Sequence, residues 1–310
     1  MDSGQTDPVV HLATARRHGA AEPPTRGSPH RATPDDALDR FCRGLLRPLR
    51  GQPRLMKLFG QRAPTEIAAR IVLMHLSART PAARPTFTRV QQALPSPRRT
   101  AAFIGLLRAL GLLTVEHDPQ DRRRRYLIPG PQILDGLRGW LQVHLACLAL
   151  LSPAAVRHVR ALQDDPGFFR ELVRHCAPWL ERANRPITRQ PLLAWLEEHD
   201  GGLHLALALL LVRHTADAAG WLPVSAAALA RELCLSRSHA CNLLNAMEAR
   251  GLLHHDAARR RMRLEPAFVD AARTWMTAQL AWFGVAATRA EMARAAGRDQ
   301  TIATDPLPIS

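Results

Sequence analysis

Arginine is the residue type with most chemistry to offer in this chain, and what it offers is anion recognition. Four guanidiniums stand side by side at Arg122, Arg123, Arg124 and Arg125, behind Asp118-Pro119-Gln120-Asp121. A second group sits at Arg259, Arg260, Arg261 and Arg263. Each guanidinium is a planar fork of donors that fits a phosphate or the O6/N7 edge of guanine. Adjacent like charges repel, so such a run is either a solvated surface or the counterpart of an anion, and the second reading is preferred here. Arg98, Arg99 and Thr100 follow Ser96-Pro97, while Arg237, Ser238 and His239 follow Ser236, with Asn242 one turn further on. A serine ahead of a helix gives its oxygen to an unpaired backbone N–H, and proline suits the first helical position. Arginine in the next turn can chelate guanine or a phosphate, and asparagine can hold adenine through two hydrogen bonds.

The elements that must position these residues occur twice. Ser96–Leu113 and Ser236–Leu253 align without a gap at a constant offset of 140 residues. Each copy begins with a helix (from Pro64, and Leu203–Thr215) and a second one (Thr86–Ala93, Ala226–Leu233). A third helix (Pro97–Leu110, Arg237–Ala249) turns through Gly-Leu-Leu into a strand. The strands Leu112–Glu116 and Tyr126–Ile128, and Leu252–His255 and Met262–Leu264, then enclose the arginine runs. Phe103, Leu106, Leu107 and Leu110 are expected to face inward, as are Leu243, Leu244 and Met247. Three helices followed by a basic hairpin form the pattern of a winged helix-turn-helix. The expected fold class is therefore mainly α: tandem winged helix-turn-helix domains, with small β-hairpin wings, joined by a helical middle segment.

Pattern and composition divide the chain as follows. Residues 1–35 form a disordered basic arm and 36–63 an N-terminal helical segment. Residues 64–151 are winged-helix domain 1 with a long C-terminal helix, and 152–202 a helical linker region. Residues 203–290 are winged-helix domain 2, and 291–310 a flexible tail. Arg50-Gly51-Gln52-Pro53-Arg54 loosely resembles the core of a minor-groove AT-hook, with Gln52 where that motif wants arginine. Three roles are open to the apolar helices 134–151 and 268–286: a homodimer interface, a cleft for a small-molecule effector, or the core that joins the domains. Core is preferred.

The formal charge of +15 favours a polyanionic partner, nucleic acid first. Lys57 is the one lysine among 42 basic residues, so part of the arginine excess reflects compositional bias and position matters more than total. The cysteines (Cys42, Cys147, Cys176, Cys234, Cys241) are odd in number and never form a C-x-x-C pair, which argues against a disulfide framework or a structural zinc site. Cys234 and Cys241, with His239 between them, are the nearest thing to a cluster and are read as buried small hydrophobes. No apolar run reaches the roughly 20 residues of a membrane span, and the N-terminus lacks the apolar segment of a secretory signal. A cytoplasmic, nucleoid-associated location is expected. No phosphate-cradling glycine loop, HExxH helix or nucleophile elbow is present, so neither enzymatic activity nor a cofactor or metal is expected.

His117-Asp118-Pro119-Gln120-Asp121-Arg122-Arg123, after Leu107–Leu113, resembles the wing of MarR-family transcription regulators, whose pattern is Asp-x-x-Asp-Arg-Arg followed by an apolar strand. The resemblance covers residues 64–150 well and 203–285 loosely. It implies that Asp121 orients an arginine and that Arg122 or Arg123 reaches the minor groove, with Asp118 and Asp121 the expected wing-orienting carboxylates. Repeat two lacks the Asp pattern. The partner implied is double-stranded DNA and the role transcriptional regulation. Two winged helices in one chain depart from the family and would make an internal pseudo-dimer. Plasmid-type replication initiators and tandem winged-helix protein-interaction adaptors share such an architecture and remain the alternatives.

Overall fold

A computed structural model describes residues 32–303, with side chains to Ala296. The arm expected at 1–35 lies outside the described residues except for its end, which is helical. There α1 (Pro34–Leu46) is closed by a reciprocal capping box: Asp36 N–H donates to Thr33 Oγ1 at 3.2 Å, and Thr33 N–H donates to the Asp36 carboxylate at 2.8 Å. Then come α2 (Pro53–Phe59), α3 (Arg62–Ser77), α4 (Phe87–Gln92) and α5 (Pro97–Ala109). The strands β1 (Leu113–His117) and β2 (Arg125–Pro129) pair antiparallel, with Leu113 opposite Pro129. The middle of the chain holds α6 (Pro131–Leu151), α7 (Val156–Asp164), α8 (Pro166–His175) and α9 (Pro191–Glu197), with short 3-10 turns between them. Next are α10 (Gly202–Val212), α11 (Ala226–Glu232) and α12 (Arg237–Glu248). The strands β3 (Leu253–His255) and β4 (Met262–Leu264) form a second antiparallel hairpin, and α13 (Pro266–Ala303) ends the described chain. The protein is thus mainly helical with two small hairpins. Proline opens seven of these helices, where its fixed φ helps and its missing N–H costs nothing.

The step from third helix to hairpin is built the same way twice. Gly111 and Gly251 have φ of +67° and +66°, the left-handed conformation that favours glycine. Leu112 N–H then donates to the Leu107 carbonyl at 2.9 Å, and Leu252 N–H to the Met247 carbonyl at 3.0 Å. This reversal satisfies the last carbonyls of each helix and aims the strand back along it.

Three apolar clusters hold the elements together. One joins Leu58 of α2 and Ile67, Ala68 and Ile71 of α3 to Val90, Phe103, Ile104, Leu107, Leu113 and Leu127. A second collects α10, α11, α12 and the second hairpin around Phe268–Leu280 of α13, and it includes Ala37, Leu38, Phe41, Cys42 and Leu46 of α1. The N-terminal helical segment is therefore divided: α1 lies in the core of the second three-helix unit, while α2 gives Leu58 to the first core and Met56 to the second. Half-buried Arg213 fastens α1 there, bonding Asp39 and, at 3.1 Å, Asp35. The third cluster packs α6 and α8 against Phe283–Ala290 of α13.

The segment 152–202 is consequently more than a linker, because α7 and α8 complete a core with α6 and α13. The tail expected from residue 291 is also corrected: α13 continues to Ala303, about 57 Å at roughly 1.5 Å per residue. The Ala-rich sequence favours helix, and Arg294 holds α8's Asp165 at 3.2 Å while Glu291 meets His158 of α7 at 3.2 Å. Helices 6 and 13 serve as core, as preferred. Where they meet, buried His144 donates from Nδ1 to the Trp140 carbonyl at 2.8 Å and accepts at Nε2 from Gln279 at 3.3 Å. No helix among the described residues is long and apolar enough to cross a membrane.

Candidate nucleic-acid interface

Helix α5 turns Thr100, Phe103, Ile104 and Leu107 inward and leaves Arg98, Arg99, Ala102, Gly105 and Ala109 exposed. Two expectations are corrected. Thr100 is 1% exposed and cannot touch a ligand, since its hydroxyl donates to the Ser96 carbonyl at 2.9 Å within the first turn. Leu106 is 45% exposed, because the inward stripe passes through Ile104 instead. Ser96 also makes no side-chain cap. Ser236 does cap α12, accepting His239 N–H at 3.1 Å.

The first hairpin tip is rigid where it is acidic and bare where it is basic. Asp118 accepts Tyr126 O–H at 2.5 Å and Gln120 N–H at 2.8 Å. The Tyr126 hydroxyl, more than any other neighbour, holds the Asp118 carboxyl below its usual range, and Asp118 in turn raises the tyrosine. Asp118 thus holds the turn of the hairpin through Tyr126 and Gln120. Asp121 accepts Arg123 N–H at 3.0 Å and lies 3.6 Å from Arg124 Nε. Among the described residues no carboxylate pairs with Arg122, Arg123 or Arg125, all exposed. Behind them, Leu127 N–H bonds the Pro85 carbonyl at 2.8 Å and fastens the hairpin to the segment ahead of α4.

The second unit has the same elements with different electrostatics. Arg237, Ser238 and Asn242 are exposed on α12. His239 is half-buried, its Nε2 bonded to the Asp200 carbonyl at 2.8 Å, so it does not present a free edge. The bare second tip expected from the sequence holds for Arg260 but not for its neighbours. Arg259, at φ +53°, folds back onto α12, reaching Asn245 Oδ1 at 2.5 Å and Glu248 Oε2 at 3.0 Å. Arg261 is shared between Asp256 at 3.3 Å and Asp217 at 3.2 Å, and Trp221 lies 5.4 Å from its guanidinium. Asp256 organises this tip, accepting Arg260 N–H at 2.6 Å and Arg261 N–H at 3.2 Å.

Sequence reasoning missed Glu248, Asp217 and Asp256. The repeat itself contained one signal. At an offset of 140, Glu248 falls where the first copy has Arg108, a reversal of charge on the third helix of the unit. The same offset sets Thr100 against Ala240, and both are buried.

Among the described residues no group of His, Cys, Asp and Glu could hold a metal ion. Comparison of the chain with protein-family models, curated proteins and solved structures gave no match.

Proposed function

We propose that this chain binds double-stranded DNA sequence-specifically, as a transcriptional regulator carrying two winged-helix units in one polypeptide. One observation carries the reading. The first hairpin spends Asp118 and Asp121 on its own turn and leaves the guanidiniums of Arg122, Arg123 and Arg125 with no ion pair among the described residues, beside a helix that exposes Arg98 and Arg99 at its start. Duplex DNA suits that arrangement. The opening turn of α5 enters the major groove, where Arg98 and Arg99 meet guanine edges or phosphates, and the hairpin tip follows the adjacent backbone or minor groove. Ala102, Gly105 and Ala109 add little bulk to the outward face, which also carries the exposed Leu106. In the second unit Ser238 and Asn242 offer hydrogen bonds in place of charge, and Arg237 and Arg260 contact phosphate.

A second reading applies to the second unit alone. Because Arg259 and Arg261 are neutralised internally, that hairpin also suits a protein partner, as in an adaptor. Selection from a randomised duplex pool, followed by salt titration on the enriched sequence, tests both. A two-part motif with half-sites about one helical turn apart supports the regulator. A single short motif assigns the second unit to protein binding, and absence of enrichment overturns sequence-specific binding.

A further inference from the structure

The exposed face of α1 carries a row of charge that neither hairpin accounts for. Arg40, Arg43 and Arg47 recur at helical spacing on the side opposite Leu38, Phe41 and Cys42, and all three are exposed. The sequence provides carboxylates four residues ahead of two of them, Asp36 for Arg40 and Asp39 for Arg43, the spacing that normally neutralises a helix face. The fold spends both elsewhere. Asp36 is taken by the cap, holding Thr33 N–H at 2.8 Å and Thr33 O–H at 2.7 Å. Asp39 is taken by Arg213 and by His214 at 2.9 Å. Asp35 goes to Arg273 at 2.8 Å and Arg213 at 3.1 Å. Among the described residues, Arg40, Arg43 and Arg47 are left with no ion pair.

More unpaired charge follows the turn at Gly51. Arg54 and Lys57, three residues apart on α2, are exposed and likewise without an ion pair among the described residues. Between the two helices Arg50 meets Glu232 of α11 at 2.7 Å, which sets the row against the second three-helix unit. Arg50-Gly51-Gln52 form the turn into α2 and Pro53-Arg54 its first residues, so this segment is not the extended AT-hook its sequence loosely resembles.

Arg40 to Arg47 spans about 10 Å of helix axis at roughly 1.5 Å per residue. Along one strand of B-DNA that length covers about three phosphates, which follow at about 3.4 Å of axis. We infer that the Arg40–Arg43–Arg47 face of α1, continued by Arg54 and Lys57, is a track for the sugar–phosphate backbone of duplex DNA. It reads no sequence and lengthens the contact beyond the grooves. The inference rests on the duplex-binding reading above, with which it shares the partner but none of the residues.

The experiment is a salt titration of a mixed-sequence duplex of about three helical turns, followed by fluorescence anisotropy. It compares the native chain with Arg40→Gln/Arg43→Gln/Arg47→Gln and with a control of equal charge loss elsewhere, Arg160→Gln/Arg189→Gln/Arg289→Gln. Three lost phosphate contacts lower the slope of log K against log salt by about 2.7, at about 0.9 each, beyond any change in the control. Replacing the same three residues by lysine restores most of the slope, which separates lost charge from lost fold. A triple-glutamine slope equal to the control's overturns the track and leaves the groove-reading proposal standing. Failure of the native chain to bind any duplex overturns both.

Discussion

Glu248 decides how much charge the second hairpin can offer a duplex, and replacing it tests that directly. Its carboxylate accepts His255 N–H at 2.8 Å and lies 2.9 Å from His255 Nδ1 and 3.0 Å from Arg259. These contacts, the His255 backbone N–H foremost, hold it at about 2. Glu248→Gln keeps the length and removes the charge, so Arg259 retains Asn245 but loses its counter-ion. The two side chains are 28% and 53% exposed, so water screens much of the Coulomb attraction and the loss is about 1–2 kcal/mol. That lowers the thermal midpoint by about 2–4 °C in a chain of this size. The sign with pH follows from a carboxyl whose folded pKa is depressed. Its stabilisation is complete above the unfolded value near 4.5 and disappears as pH falls towards 2. Native and variant midpoints therefore differ fully at neutral pH and converge across that acid window. Duplex binding moves the other way. A released Arg259, on a helix that has lost a negative charge, gains about one phosphate contact and steepens the salt slope by about 0.9. The assays are thermal melts across pH and anisotropy between about 50 and 200 mM salt. A destabilised variant with an unchanged slope refutes the claim that Glu248 withholds Arg259 from DNA. An unchanged neutral-pH midpoint refutes the pairing itself.

Two further predictions concern the first hairpin and the core. Arg122→Gln/Arg123→Gln/Arg125→Gln lowers the salt slope by about 2.7 and leaves the thermal midpoint where it was, because none of the three is in an ion pair among the described residues. An unchanged slope removes this hairpin from the interface. Burial depresses the His144 imidazole to about 4, so it is neutral in the fold while the unfolded chain takes up a proton below about 6.5. The folded state thus loses about 3 kcal/mol between those values, at about 1.4 kcal/mol per pH unit. His204 is held at about 4 for the same reason and adds its own loss. In His144→Gln, acid melts show the dependence reduced by one proton's worth, and an unaltered pH profile contradicts the buried neutral ring.

What the sequence made legible was what local signals determine. The third helices, the Gly-Leu-Leu reversals at Gly111 and Gly251 and both hairpins are written in caps, left-handed glycines and short alternating strands, each complete within about ten residues. Helix α1 carried a clear apolar face, but nothing local says that Phe41 packs against Trp275, 5.5 Å away between ring centroids. The continuation of α13 was hidden by the small residues around Gly297, while its anchors, Asp165 and His158, lie 129 and 133 positions away. The neutralised tip was illegible for the same reason. Arg259 finds Glu248 at a separation of 11 residues, and Arg261 finds Asp217 at 44. A run of arginines looks alike in sequence whether or not its counter-ions arrive from elsewhere in the fold.

That distinction changes what the net charge of +15 means. Arg185, 3.0 Å from Glu197 and 4.0 Å over the Trp179 ring, is spent inside the molecule, as are Arg213 and Arg273. The charge left for a polyanion is concentrated on α1, on α2 and around α5 and its hairpin, and is thin on the second hairpin. On the proposed reading, a pseudo-dimer built this way would not read a symmetric operator. On the proposed reading the first unit presents Arg98 and Arg99, which select guanine through O6 and N7, and the second presents Asn242, which selects adenine. The enriched site should carry guanine in one half and adenine in the other, with the guanine half the more salt-sensitive. Arg98→Ala relaxes the preference in the guanine half and Asn242→Ala in the adenine half, each by about 1–3 kcal/mol of discrimination. A palindromic motif that both substitutions weaken equally contradicts this assignment, because identical half-sites require two units that read alike.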